Sequence, residues 1–209
     1  MRSFSTDFTA ELNELFKWRR DVRRFTDRPV PNDLLDECLD QMRHAPSVGL
    51  SAPWRLIHVE SDSARAAAIE NFEAANAQAL QGYSGDQAKR YAGLKLSGLR
   101  EAPVHLAVFC DDTTRKGSGL GAATMPQMRA YSVAGAIMYL WLATRSRGLG
   151  MGWVSILDPV KLCSDLDAPA EWELVAYLCL GWPEEETETP ELIRAGWETE
   201  APKPEVLTR

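Results

Sequence analysis

Val104–Cys110 reads VHLAVFC, and after a polar stretch at 111–127 comes Met128–Arg147, MRAYSVAGAIMYLWLATRSR. The first segment alternates, with Val104, Leu106, Val108 and Cys110 on one face and His105, Ala107 and Phe109 on the other. Both faces are apolar but for one histidine, as a central strand covered on two sides requires. The second segment is apolar on every side from Val133 to Ala143. That run is well short of the about 20 residues a membrane span needs, so it reads as a buried helix. Gly148 marks its stop.

Outward from this pair, helical spacing predicts a helix over Asp7–Trp18, with Leu12, Leu15 and Phe16 on one face. A second starts at a capping Asn32 and repeats Leu34, Leu35, Cys38, Leu39 and Met42. APSVGLSAPW, 45–54, is a loop by its prolines, glycine and serines. Strands are expected at Arg55–Glu60, Gly152–Leu157 and Glu173–Leu180. Helices are expected at Ser63–Leu80 and Asp86–Arg100, with a short one opening at Asp158–Pro159. The polar segment 111–127 reads as a mobile surface loop of the kind that forms lids. Four strands interleaved with long helices make an α+β layered domain.

The chain of 209 residues suits one domain, 1–209, with an extended C-terminal arm from about residue 183. At 45% hydrophobic and 25% charged residues it has the composition of a globular protein, which excludes a disordered chain. The net charge of −7 argues against nucleic-acid binding. No signal segment is visible, and four cysteines without a CxxC pair read as reduced, so the expected setting is the cytoplasm, away from membranes. No metal site is expected, since paired Cys/His spacing is absent. No strand leads into GxGxxG or a P-loop, and GLGMGW, 148–153, precedes a strand rather than a helix.

One segment departs from the acidic background. Lys17, Arg19, Arg20, Arg23, Arg24 and Arg28 concentrate cations around WRRDVRRF. One reading is a solvated basic face paired with acids elsewhere. The other is an anion site, because guanidinium forks match phosphate oxygens two at a time. If helical, Arg19 and Arg23 would be i,i+4 neighbours.

RRDVRRF (19–25), APSVGLSAPWR (45–55), TMPQMRAYSV (124–133), GLGMGWVSIL (148–157) and AYLCLGWPEE (176–185), in this order, resemble the flavin-dependent nitroreductase superfamily. Within it they are similar to the flavin-destroying branch that makes 5,6-dimethylbenzimidazole, the lower ligand of cobalamin. The resemblance implies a nitroreductase-like domain with a central mixed, mainly antiparallel sheet flanked by helices, in an intertwined homodimer whose acidic C-terminal segment embraces the partner. It implies Arg19, Arg20 and Arg23 on the FMN phosphate or ribityl chain, and Pro46, Ser47 and Pro53 along the ring. The backbone of Gly152, Trp153, Val154 and Ser155 would meet the flavin edge, and Met125, Pro126 and Met128 would cover the ring. Reduced FMN would be the substrate, with O₂ as co-substrate and a separate flavin reductase as supplier. The ring fragments to dimethylbenzimidazole and erythrose 4-phosphate.

Asp21 and Ser155 match the catalytic positions of this branch. Asp21, between arginines, is placed to accept a proton or orient a hydroxyl; its plainer role is a salt-bridge partner. Ser155, mid-strand in WVSIL, needs a hydrogen-bond partner, and the backbone would also serve. The reductases read Asn-x-Gln-Pro-Trp where this chain has Leu50-Ser51-Ala52-Pro53-Trp54, so two polar contacts are missing. That weighs against the first alternative, an NAD(P)H-dependent nitro- or quinone reductase. The second is a non-catalytic flavin-binding protein.

Overall fold

The computed structural model describes residues 3–209. Its centre is a four-stranded sheet of β1 (Trp54–His58), β2 (Val104–Asp111), β3 (Gly150–Val154) and β4 (Trp172–Gly181), in the order β1-β2-β4-β3, with antiparallel neighbours throughout. A parallel bridge from Asp21 to Met151 adds the 19–25 segment outside β3 and makes the sheet mixed.

The alternation in β2 is realised as expected. Leu106, Val108 and Cys110 join a core with Leu178, Leu180 and Met151, while Ala107 and Phe109 join a second core with Tyr177, Cys179 and Val154. Helices α1 (Thr6–Trp18), α2 (Asn32–Asp40), α3 (Asp62–Leu80), α4 (Gly85–Ala92), α5 (Met128–Arg145), α6 (Pro159–Asp165) and α7 (Glu191–Arg194) complete the chain. The first core is closed by α2 and by Val133, Ala136, Ile137 and Leu140 of α5. The second lies under Ala68 of α3 and Leu162 of α6. Gly148 takes φ +81° just past α5, as a helix stop should. The four cysteines are free.

Several boundaries differ from expectation. The helix expected to reach Arg100 ends at Ala92, because the chain beyond passes tightly under Phe25. A Cβ on Gly98 would lie 2.4 Å from that ring. Asn32 opens α2, whose capping position is Pro31. The strand expected over Gly152–Leu157 runs Gly150–Val154, because its last partner is Tyr177 and Pro159 then starts α6. Ser155 therefore stands just off the strand and is exposed. The 111–127 segment is a series of turns seated on the 48–50 loop, where Gly49 and Gly117 approach so closely that neither has room for a Cβ. The arm folds back over its own chain through Trp197, which packs edge-on against Tyr83 and Tyr91, and Thr199–Arg209 is exposed without regular structure.

Candidate active site

Arg19–Phe25 is not helical. α1 ends at Trp18, and the following residues run extended along the outer edge of β3, where Val22 N donates to the Met151 carbonyl at 3.0 Å. The glycines of GLGMGW make this approach possible. A Cβ on Gly152 would lie 2.2 Å from the Val22 carbonyl oxygen, and one on Gly150 would lie 2.8 Å from a Val22 methyl. The glycine-rich motif is thus a seat for the arginine segment.

That seat fixes Asp21. Its Oδ1 accepts from the Trp153 backbone N–H at 2.8 Å and its Oδ2 from Arg23 Nε at 2.9 Å. Each carboxylate oxygen keeps lone-pair capacity for a further donor. Arg23 is held in turn by the Lys95 carbonyl at 2.9 Å. Arg20 donates to the Glu188 carbonyl at 2.6 Å, and burial, with Arg19 alongside, lowers its pKa. Arg19 points elsewhere: its guanidinium lies 4.7 Å above the Trp141 ring, and no carboxylate pairs with it among the described residues.

Arg20, Asp21, Arg23 and Arg24 line one narrow cleft with Arg145, Arg194 and the arm. Glu191 binds Arg24 at 2.6 Å, Glu185 binds Arg194 at 2.7 Å and Glu186 binds Arg145 at 2.8 Å. The hydrogen bond that Arg24 donates to Glu191 raises the Arg24 pKa. Five guanidinium groups face four carboxylates, so the lining keeps one excess positive charge beside the hydroxyls of Thr187 and Thr189. Sequence reasoning missed Arg145 and Arg194 here. Arg194 carried a signal, as the one cation between Lys161 and Lys203 in an acidic stretch.

Ser155 opens onto another cleft, of about 760 Å³, between the end of β3 and the alanine-rich face of α3. The remaining sequence candidates lie at the far edge of the sheet. Pro46 is exposed, and Pro53 is buried, with its carbonyl accepting from Asp111 N at 2.8 Å. The Ser47 hydroxyl closes the loop by accepting from Ala52 N at 3.0 Å. Leu50 and Ala52 have φ of +53° and +43°, a region costly for residues with a Cβ. One chain therefore assembles Arg20, Asp21, Arg23, Gly152 and Trp153, sets Ser155 just beyond them, and leaves Pro46, Ser47 and Pro53 across β4 and β2. No helix among the described residues is long and apolar enough to cross a membrane.

Comparison with known proteins agrees with this architecture. The chain is 51% identical to a 5,6-dimethylbenzimidazole synthase of Rhodospirillum rubrum, over 97% of this chain and 96% of that one. It is 47% identical to a 5,6-dimethylbenzimidazole synthase of Rhodobacter capsulatus, over 96% and 97%. Among solved structures, oxidized iodotyrosine deiodinase bound to FMN and 3-iodo-L-tyrosine superposes with a TM-score of 0.72 at 25% identity, covering 95% of this chain and 97% of that one. The Nitroreductase family model matches residues 16–182, and with that match the chain belongs to the nitroreductase family.

Proposed function

We propose that this protein makes 5,6-dimethylbenzimidazole from reduced FMN and O₂, releasing erythrose 4-phosphate, in one cytoplasmic domain supplied by a separate flavin reductase. The observation that carries the reading is Asp21. Its carboxylate is pinned by Trp153 N and Arg23 Nε at the seam where the arginine segment meets β3, with Ser155 next along the same strand end. The near half identity to two synthases supports it.

The donor set suits a flavin phosphate. Forked guanidinium groups and two threonine hydroxyls surround one cleft with an excess positive charge, and the arm's glutamates hold Arg24, Arg145 and Arg194 in place until an anion competes. When bound, reduced FMN supplies the electrons that activate O₂ and the carbon atoms of the product. The chain's residues then have distinct tasks. Arg20 and Arg23 hold the phosphate end, which fixes the ribityl chain relative to Asp21. Asp21 accepts a proton from ribityl C1′, its orientation set by two donors rather than by side-chain rotation. Ser155 presents a hydroxyl to the reacting edge, and the buried backbone of Gly152 and Val154 keeps water off that side.

Pro46, Ser47 and Pro53 serve the same flavin through a homodimer. In one chain, buried β2 and β4 separate them from β3 by three strand spacings, roughly 14 Å. A second copy brings its own loop to the β3 edge. Tyr131, Met138 and Tyr139 of α5 are 60%, 41% and 41% exposed, and Gly135 between them has open space above it, so the most apolar helix keeps a face for that copy.

The test is turnover with a flavin reductase, NADH, FMN and air. The flavin absorbance should fall steadily as dimethylbenzimidazole accumulates, and Asp21→Asn should stop the product while flavin still binds. Constant flavin with NADH consumed by a nitroaromatic would make the protein a reductase instead.

A further inference from the structure

Ser155 is the first residue beyond the last rung of β3, where Val154 pairs with Tyr177. A residue in that place has no ladder bonds of its own to fix its backbone. What holds the chain is found three residues on, and it comes from α3.

Asn71 sits in the middle of α3 and is 2% exposed. Asparagine is a poor helix former, and burying its amide without partners would be costly. Both of its polar groups are used on one residue. Its Nδ2 donates to the Asp158 carbonyl at 3.0 Å, and its Oδ1 accepts from the Asp158 N–H at 2.8 Å. The amide thus does for Asp158 what a neighbouring strand would do, giving it a paired donor and acceptor. The Asp158 carboxylate is engaged separately, capping α6 by accepting from Lys161 N at 3.0 Å. Only Ser155, Ile156 and Leu157 lie between the rung at Val154 and this clamp; all three line the cleft between β3 and α3, and Leu157 also packs against the second core.

We infer that Asn71 is a positioning residue: it sets the reach of the Ser155 hydroxyl by clamping Asp158. The inference rests on the proposed flavin fragmentation. A hydroxyl misplaced by about 1 Å loses on the order of a hundredfold in a positioned step. Bound reduced FMN then loses its electrons to O₂ by the simpler route, in which FMNH₂ and O₂ give intact FMN and H₂O₂.

The experiment is a partition measurement. Reduced FMN bound to wild type, Asn71→Ala, Asn71→Asp and Asn76→Ala is exposed to air, and dimethylbenzimidazole and H₂O₂ are quantified together. Free reduced FMN yields only H₂O₂, so unbound flavin is removed under nitrogen before air is admitted and both products are expressed per bound flavin; their ratio then reports position and not stability. Asn71→Asp keeps the shape and the acceptor, which preserves a folded variant if the alanine form does not fold. Asn76 is the control on the same helix, since its Oδ1 accepts from the Tyr91 hydroxyl at 2.8 Å and does not touch the Ser155 segment. The expected result is a shift of about tenfold or more toward H₂O₂ in both Asn71 variants, with FMN affinity within about twofold of wild type and Asn76→Ala unchanged. An unchanged ratio in the Asn71 variants, or an equal shift in Asn76→Ala, overturns the positioning role while leaving the fragmentation intact. A wild-type protein that yields no benzimidazole overturns the proposed function and this inference with it.

Discussion

Gly152→Ala tests whether the arginine segment must lie against β3. The added Cβ would stand 2.2 Å from the Val22 carbonyl oxygen, whereas carbon and oxygen in ordinary contact sit near 3.3 Å. The obstacle is backbone on both sides, so no rotamer change relieves it, and the 19–25 segment must retreat by about 1 Å. Two bonds depend on that distance, Val22 N to the Met151 carbonyl at 3.0 Å and Trp153 N to Asp21 Oδ1 at 2.8 Å. Losing a neutral and a charge-assisted bond costs about 3 kcal/mol together. Urea unfolding should show that loss, and benzimidazole formation should fall on the order of a hundredfold because Asp21 moves. Gly150→Ala is the comparison. Its Cβ meets a Val22 methyl at 2.8 Å, which has more freedom to yield than a backbone carbonyl, so the cost should be smaller. A Gly152→Ala protein as stable and active as wild type would refute the reasoning.

Glu191→Gln frees Arg24 from a partly exposed ion pair worth at most about 1 kcal/mol, so FMN should bind up to about fivefold more tightly by titration, with riboflavin unaffected. His105 is fully buried beside Tyr177, with Nδ1 to Oη at 3.0 Å, and burial, helped by Arg65, lowers its pKa to about 4. Below pH 6.5 the unfolded chain takes up a proton that the native state refuses, so stability should fall as pH drops from about 6.5 to about 4, by about 3 kcal/mol in all. His105→Phe should flatten that slope in urea midpoints. Ala52→Gly removes a Cβ from a φ of +43° and should raise the free energy of unfolding in urea by up to about 1 kcal/mol; a lower midpoint would show the strain argument wrong.

The fold was legible where information is local. Alternation in 104–110 placed β2 between two cores, and the apolar run of 133–143 with Gly148 behind it placed α5. The candidate site was legible only as a set of residue types, arginines around Asp21 and a serine at the end of GWVS. What could not be read is contact between distant segments. The role of Gly150 and Gly152 depends on Val22 arriving from the other end of the chain, and nothing in GLGMGW announces it. Ser155 sits in a run that continues to look like strand, WVSIL, yet the β3 ladder ends at Val154 while β4 runs on to Trp172 paired with β2 alone. Arg24 finds its acid, and Arg20 a backbone carbonyl, in the arm more than a hundred and fifty residues later, so the basic face and the proposed anion site draw on the same groups. Asn71 looks like any polar residue on an alanine-rich helix until Asp158 is set beside it.

The most direct test of the central claim is a single turnover. Purified protein is mixed under nitrogen with a slight excess of chemically reduced FMN, oxygen is admitted, and the products are separated. Dimethylbenzimidazole and erythrose 4-phosphate in equal amounts, matched by flavin absorbance that fails to return, is the predicted result. Full recovery of oxidised FMN without benzimidazole would contradict the account.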